Sequence, residues 1–220
     1  MAVNLSIGSR GELVMRLQYA LNLIPDGVFG KLTEEAVKNF QKKNGLKPDG
    51  IVGEKTWAKL PQLSATGVRQ SKRVIKEIIV HCTATPEGRA ETVESIRKMH
   101  KARGWSDIGY HYVVYLDGSV HNGRNVDIVG AHCEGHNANS IGVVYVGGVD
   151  KKGKAKDTRT DKQKKALVDL LKELKNLYPN AKIRGHRDYS PDKNHNGIIE
   201  PSEFIKDCPS FDAKNEYKNI

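Results

Sequence analysis

No run in this sequence reaches the roughly 18 apolar residues that a membrane-spanning helix needs, so membrane insertion is not expected. The opening residues, MAVNLSIGSR, lack a basic cluster followed by an apolar stretch, which excludes an ordinary secretory signal and implies synthesis in the cytoplasm. Cysteine is scarce. Cys82, Cys133 and Cys208 are an odd number without framework spacing, which argues for reduced thiols or ligands and against a disulfide scaffold. Aromatic residues make up only 6%, and no RNP, zinc-finger or helix-turn-helix pattern is present, so no nucleic-acid partner is expected.

What remains is an ordinary globular composition, 38% hydrophobic and 28% charged, in 220 residues. That length suffices for one large domain or two smaller ones, each with its own core. A net charge of +10 implies attraction to something anionic, and charge alone does not choose between nucleic acid, a bacterial envelope and an ordinary basic surface. A monomer is expected.

The first sixty residues repeat themselves. PDGVFGKLT at 25–33 returns as PDGIVGEKT at 48–56, an offset of 23. Pro-Asp-Gly is turn chemistry, and Thr33 and Thr56 then stand where a helix N-cap is expected. SRGE, from Ser9 to Glu12, has capping-box spacing, and Leu13, Leu17, Ala20 and Leu21 follow on one helical face. Ala36, Val37 and Phe40 give a second helix its stripe, and Trp57 anchors a third. The reading is a three-helix bundle over 1–62, then a polar linker at 63–73, then a second domain over 74–220.

In that second domain, VIKEIIVHC at 74–82 is a β-branched run expected to be a buried strand. Residues 92–103 form a helical pattern closed by Gly104, and YHYVVYL–DG–SVHN is a hairpin across Asp117-Gly118. IGVVYVGG at 141–148 is a further strand. A helix runs from Asp161 to Tyr178, opened by Thr160 and Gln163, with Leu167, Leu170, Leu171, Leu174 and Leu177 on one face. Strands interleaved with long helices imply an α/β fold, a mixed central sheet flanked by helices.

Eight histidines are available, and spacing alone does not select ligands among them. His81 ends one strand, His186 follows another, and Cys208 lies in KDCPSF. Imidazole and thiolate are zinc donors, but a histidine at a strand end is more often structural.

Two resemblances narrow the choice. Residues 5–60, with LxxGSRGELVMRLQ and both DG–G–T repeats, resemble the helical peptidoglycan-binding domain appended to wall hydrolases. Residues 77–211 are similar to the type 2 N-acetylmuramoyl-L-alanine amidases, whose fold is shared by peptidoglycan recognition proteins. The carrying stretches are IIVHCTAT, RKMHKARGWSDIGYHYVVYLDGSVHNGR, GAHCEGHNANSIGVVYVGG, IRGHRD and KDCPSFD. The resemblance implies Zn²⁺ held by His81, His186 and Cys208, with Tyr110 and Lys206 as catalytic residues and His132 in the substrate groove. It implies hydrolysis of the amide between N-acetylmuramic acid and L-alanine in peptidoglycan, as in an endolysin that reaches the wall through a holin or other export. The alternative is a wall-recognition protein without activity. The cysteine at 208 favours the enzyme, because inactive recognition proteins lack that ligand. His100 and His111 are expected to be structural, and Cys82 a small buried thiol.

Between His186 and Cys208 lie 21 residues, more than the phage relatives use there. Within them DKNHNGIIEPSE fits the EF-hand loop D-x-[DN]-x-[DN]-G-x₅-E. Such a loop at 192–203 would hold Ca²⁺ through Asp192, Asn194, Asn196, the Ile198 carbonyl, Glu200 and Glu203, followed by a short helix from Pro201 to Asp207.

Overall fold

The computed structural model describes residues 4–21, 23, 25–60 and 68–220. The chain divides into two compact units, Met1–Gly67 and Val68–Ile220.

The first unit holds α1 (Glu12–Ala20), α2 (Lys31–Lys43) and α3 (Glu54–Lys59). Val14, Leu17, Ala20, Phe29, Val37, Val52 and Leu60 are its buried apolar core, and Phe40 and Trp57 pack against it. Leu13 points outward instead, 40% exposed. The caps differ from expectation. Gly11, Gly30 and Gly53 are the N-cap residues, and none of these helices has a side-chain cap. Ser9 instead accepts a hydrogen bond from the Ser6 amide at 3.1 Å.

The two threonines have a different task. Gln18 donates through Nε2 to Asp26 Oδ1 (2.6 Å), the Val28 carbonyl (3.0 Å) and Thr33 Oγ1 (3.0 Å), while its Oε1 accepts from the Gly27 amide. Twenty-three residues later Gln41 makes the same four bonds, to Asp49, Ile51, Thr56 and Gly50. Each buried glutamine thus closes one DG–G–T turn onto its preceding helix. The repeat is a hydrogen-bonded unit that includes the glutamine, one element more than the turn motif suggests.

In the second unit β1 (Glu77–Cys82) is followed by β2 (Thr85–Pro86), α4 (Val93–Ala102), β3 (Tyr112–Val114) and β4 (Val120–Asn122). Then come β5 (Ser140–Tyr145), β6 (Gly148–Val149), α5 (Asp161–Leu177), β7 (Lys182–Gly185) and α6 (Ala213–Glu216). Five strands form the main sheet in the order β4-β3-β5-β1-β7, all pairings parallel except β3 with β4. This is the mixed α/β sheet expected. β1 lies between two parallel neighbours and buries Ile78 to Cys82 without alternation, as a strand covered on both faces must. α4 and α5 carry the capping boxes of Thr92 and Thr160, and α5 buries Leu167, Leu170, Leu171 and Leu174.

Residues 63–67 of the expected linker lie outside the described residues. Residues 68–73 are not a linker but part of the second unit. Arg69 pairs with Asp127 at 2.9 Å, Ser71 Oγ donates to the Val126 carbonyl, and Arg73 reaches the carbonyls of Val126 and Ser140. Basic residues read as linker polarity are here spent within the second unit, Arg69 on the Asn125 and Asp127 side chains and Arg73 on backbone carbonyls.

Gln18→Ala and Gln41→Ala should each destabilise the first unit by about 1–3 kcal/mol, since each strands a buried glycine amide. Urea unfolding followed through Trp57, in a Trp105→Phe background, measures this, and equal losses at the two sites are expected.

Candidate metal centre

Parallel pairing sets two histidines side by side. β1 and β7 are in register with Val80 opposite Gly185, so His81 and His186 leave the sheet as neighbours at its carboxyl edge, the usual position for a site in such sheets. Their ring centroids are 4.8 Å apart. Cys208 arrives from the C-terminal segment: its carbonyl accepts from the Arg187 amide at 2.7 Å. Gly185 is required here, because a Cβ would lie 2.7 Å from Pro209 Cδ. Downstream, Tyr145 Oη donates to the Pro209 carbonyl at 2.7 Å. Buried Arg159 lies 3.3 Å over the Phe211 ring and pairs with Asp157 and Glu216. Nothing in the sequence singles out Arg159, whose partners are separated by the whole of α5.

The outcome is one convergence. His81, His186 and Cys208 each present a donor atom within 4.8 Å of the others, and among the described residues this is the sole such group. Cys208 Sγ lies 3.7 Å from His81 Nδ1 and accepts from the Cys82 amide at 3.3 Å. Two imidazole nitrogens and one sulfur are the donor set of a zinc site that leaves a position free. Protonation fits as well. Burial, then the neighbouring His132 and His186, holds His81 well below the usual imidazole range. Burial, then the Lys206 charge, brings His186 down to about 4. Both rings are therefore neutral donors at neutral pH. The neighbouring Cys82 thiol and burial push Cys208 up, so its proton leaves only when a cation replaces it.

Tyr110 flanks the trio, its ring 5.2 Å from that of His81. Burial pushes its phenol far above the usual range, so it stays a hydrogen-bond donor. Lys206 is exposed, and its ammonium is felt at both His186 and His81. His100 and His111 are structural, as expected: each accepts a backbone amide through Nδ1, from Gly109 and Gly142 respectively. Cys82 is buried.

His132 departs from expectation. It is not in an open groove but 7% exposed behind His81, with Nδ1 3.1 Å from His81 Nε2. Its loop is drawn inward because Asn137 Oδ1 accepts the amides of both His132 and Cys133.

The 192–203 loop closes on itself. Asp192 accepts the amides of Asn196 and Gly197, Glu203 those of Lys193, Asn194 and Glu200, and Asn194 donates to Glu200. Asn196 Oδ1 accepts the Ile198 amide, and the helix expected from Pro201 is a single 3₁₀ turn, Pro201–Glu203. Its carboxylates do not converge into a metal cluster, and nothing supports the calcium expectation.

A family model for a peptidoglycan binding domain matches residues 10–60, and one for N-acetylmuramoyl-L-alanine amidase matches residues 71–198. The chain belongs to the N-acetylmuramoyl-L-alanine amidase family, with an N-terminal peptidoglycan-binding domain. Within it, the chain is similar to endolysins. It is 40% identical over 142 residues to the endolysin of Enterobacteria phage K11, covering 64% of this chain and 85% of that one. It is 42% identical over 138 residues to the endolysin of Klebsiella phage KP32, covering 63% and 82%. Among solved structures, the N-acetylmuramoyl-L-alanine amidase LysC from Clostridium intestinale aligns with a TM-score of 0.51 and 27% identity, over 66% of this chain and 83% of that one.

Burial brings His100 and His186 to about 4 and His111 to about 3, while the unfolded chain protonates near 6.5. The unfolded state therefore binds the extra protons, and this stability is full above pH 6.5 and lost as pH falls toward 4. Chelator-treated protein should show a denaturation midpoint that drops between pH 7 and 5, each such histidine adding up to about 1.4 kcal/mol per pH unit. Loading the trio with zinc should raise the midpoint at neutral pH and steepen its fall on acidification, because the loaded state gives up the Cys208 proton that the unfolded chain keeps.

Proposed function

We propose that this protein is a zinc-dependent amidase that hydrolyses the bond between N-acetylmuramic acid and L-alanine in peptidoglycan, and so lyses the cell wall. The observation that carries the reading is the convergence of His81, His186 and Cys208 beside Tyr110. Similarity to phage endolysins supports wall lysis as its role. The N-terminal domain holds the enzyme on its polymeric substrate, and the positive charge of the chain favours an anionic envelope.

His81 and His186, neutral and buried, and Cys208, once deprotonated, would hold the cation. A Zn²⁺ ion there supplies Lewis acidity toward a water and an amide carbonyl. Attack on the carbonyl places negative charge on its oxygen. Tyr110, held protonated by burial, donates a hydrogen bond to that charge or orients the attacking water. The Lys206 ammonium stabilises the same charge from the exposed side of the trio. No glutamate is placed by motif as a base, and the chemistry assigned to this chain is the holding of charge and orientation.

Digestion of purified sacculi tests the reading, with newly exposed L-alanine amino groups as the readout. Wild type with zinc should release them and Cys208→Ser should not. Lys206→Ala and Tyr110→Phe should each lower kcat by about 10²–10³-fold while keeping the wild-type zinc content. Zinc-loaded wild type that frees no L-alanine amino groups would exclude the amidase reading.

A further inference from the structure

Behind His81 runs a chain of hydrogen bonds whose directions can be assigned one at a time. Ser140 Oγ lies 2.7 Å from the His136 carbonyl oxygen, which only accepts, so the single hydroxyl proton points there. Ser140 therefore turns a lone pair toward His132 Nε2, 3.4 Å away, and that nitrogen carries the proton. A neutral imidazole protonated at Nε2 is bare at Nδ1. His132 Nδ1 faces His81 Nε2 at 3.1 Å, so His81 is the donor there, and its own Nδ1 keeps a free lone pair. That lone pair faces Cys208 Sγ.

The surroundings are built for this ring. A Cβ on Gly130 or Gly142 would come within 2.5 Å of His132 Cδ2, so both positions accept only glycine without displacing the imidazole. Neighbouring His111 does not compete. Its Nδ1 accepts from the Gly142 amide, and its Nε2 is left to donate to the Ile128 carbonyl at 3.1 Å.

We infer that His132 is a positioning residue, which fixes the tautomer and aim of His81 and thereby sets how tightly the His81–His186–Cys208 trio holds a divalent cation. The inference rests on the metal reading above and assigns a role to a residue that does not itself reach the trio's centre. Partners behind a ligating imidazole raise its basicity and remove rotational freedom, and losing one weakens metal binding by about 10–100-fold.

Two measurements test it. Long-range ¹H–¹⁵N correlation spectra of zinc-free wild type near pH 7.5 should show both His81 and His132 protonated at Nε2. Chelator competition should show His132→Ala binding zinc about 10–100-fold more weakly than wild type. His132→Asn, whose Oδ1 can accept from His81, should recover most of that loss. Should His132→Ala fail to fold, the wild-type spectrum and His132→Asn still decide. His81 protonated at Nδ1 in the wild type overturns the inference, as does a folded His132→Ala with unchanged zinc affinity and only a raised KM, the pattern of a substrate contact. Wild type that binds no zinc defeats the metal reading instead, while the spectrum still judges the link between His81 and His132.

Discussion

The register of β1 against β7 is the constraint on which the site depends. With Val80 opposite Gly185 in a parallel pair, the next residue of each strand must emerge beside the other. A slip of one residue would turn either imidazole to the opposite face, because side chains alternate along a strand. That register is secured by burial. Ile78, Ile79 and Val80 are fully enclosed between β5, β7 and the covering layers, so sliding would expose apolar surface on both faces at once. Two donors are thus placed by backbone geometry, and rotamers have only to be selected.

The third donor is placed by different physics. Cys208 lies in an irregular segment, and its position is inherited from contacts on either side of it. The Arg187 amide donates a hydrogen bond to the Cys208 carbonyl, and downstream lie the Tyr145 hydroxyl on Pro209 and the Arg159 cluster around Phe211. Arg159 meets Asp157, Glu216 and the Tyr217 hydroxyl in a nearly solvent-free position. Removing one member of such a cluster leaves a buried charge unmatched, which costs far more than the pair contributes when intact. The tail is therefore fixed in one arrangement.

What could be read from residues alone follows this division. Elements defined by local chemistry were legible: the β-branched run of β1, the capping box at Thr160, the Asp117-Gly118 turn and the leucine face of α5. The trio could be named only by resemblance, because its members are 105 and 22 residues apart and only the sheet joins them. The failures have a common cause. Thr33, Thr56 and Ser9 are good capping residues by type, yet long-range partners or other turns claim their hydroxyls. Arg69 and Arg73 have linker composition but pair with residues over 50 positions away. His132 was placed in a groove by its motif, and Asn137 folds its loop inward. The Asx-rich loop at 192–203 matches a cation-binding pattern, and its oxygens accept its own amides. A pattern of donors and acceptors does not say which partner each will take.

The late position of Cys208 has a consequence for the timing of assembly. β1 leaves the ribosome well before β7, and the Arg159 cluster closes only when residues near 217 are available. At every earlier stage of synthesis the two histidines lack their sulfur partner, although the Arg187 amide and the Tyr145 hydroxyl that receive its segment precede it in the chain. Completion of the trio is tied to completion of the domain. A chain cut before Cys208 lacks the third donor, so the capacity to hold a cation appears in one step, when that segment docks.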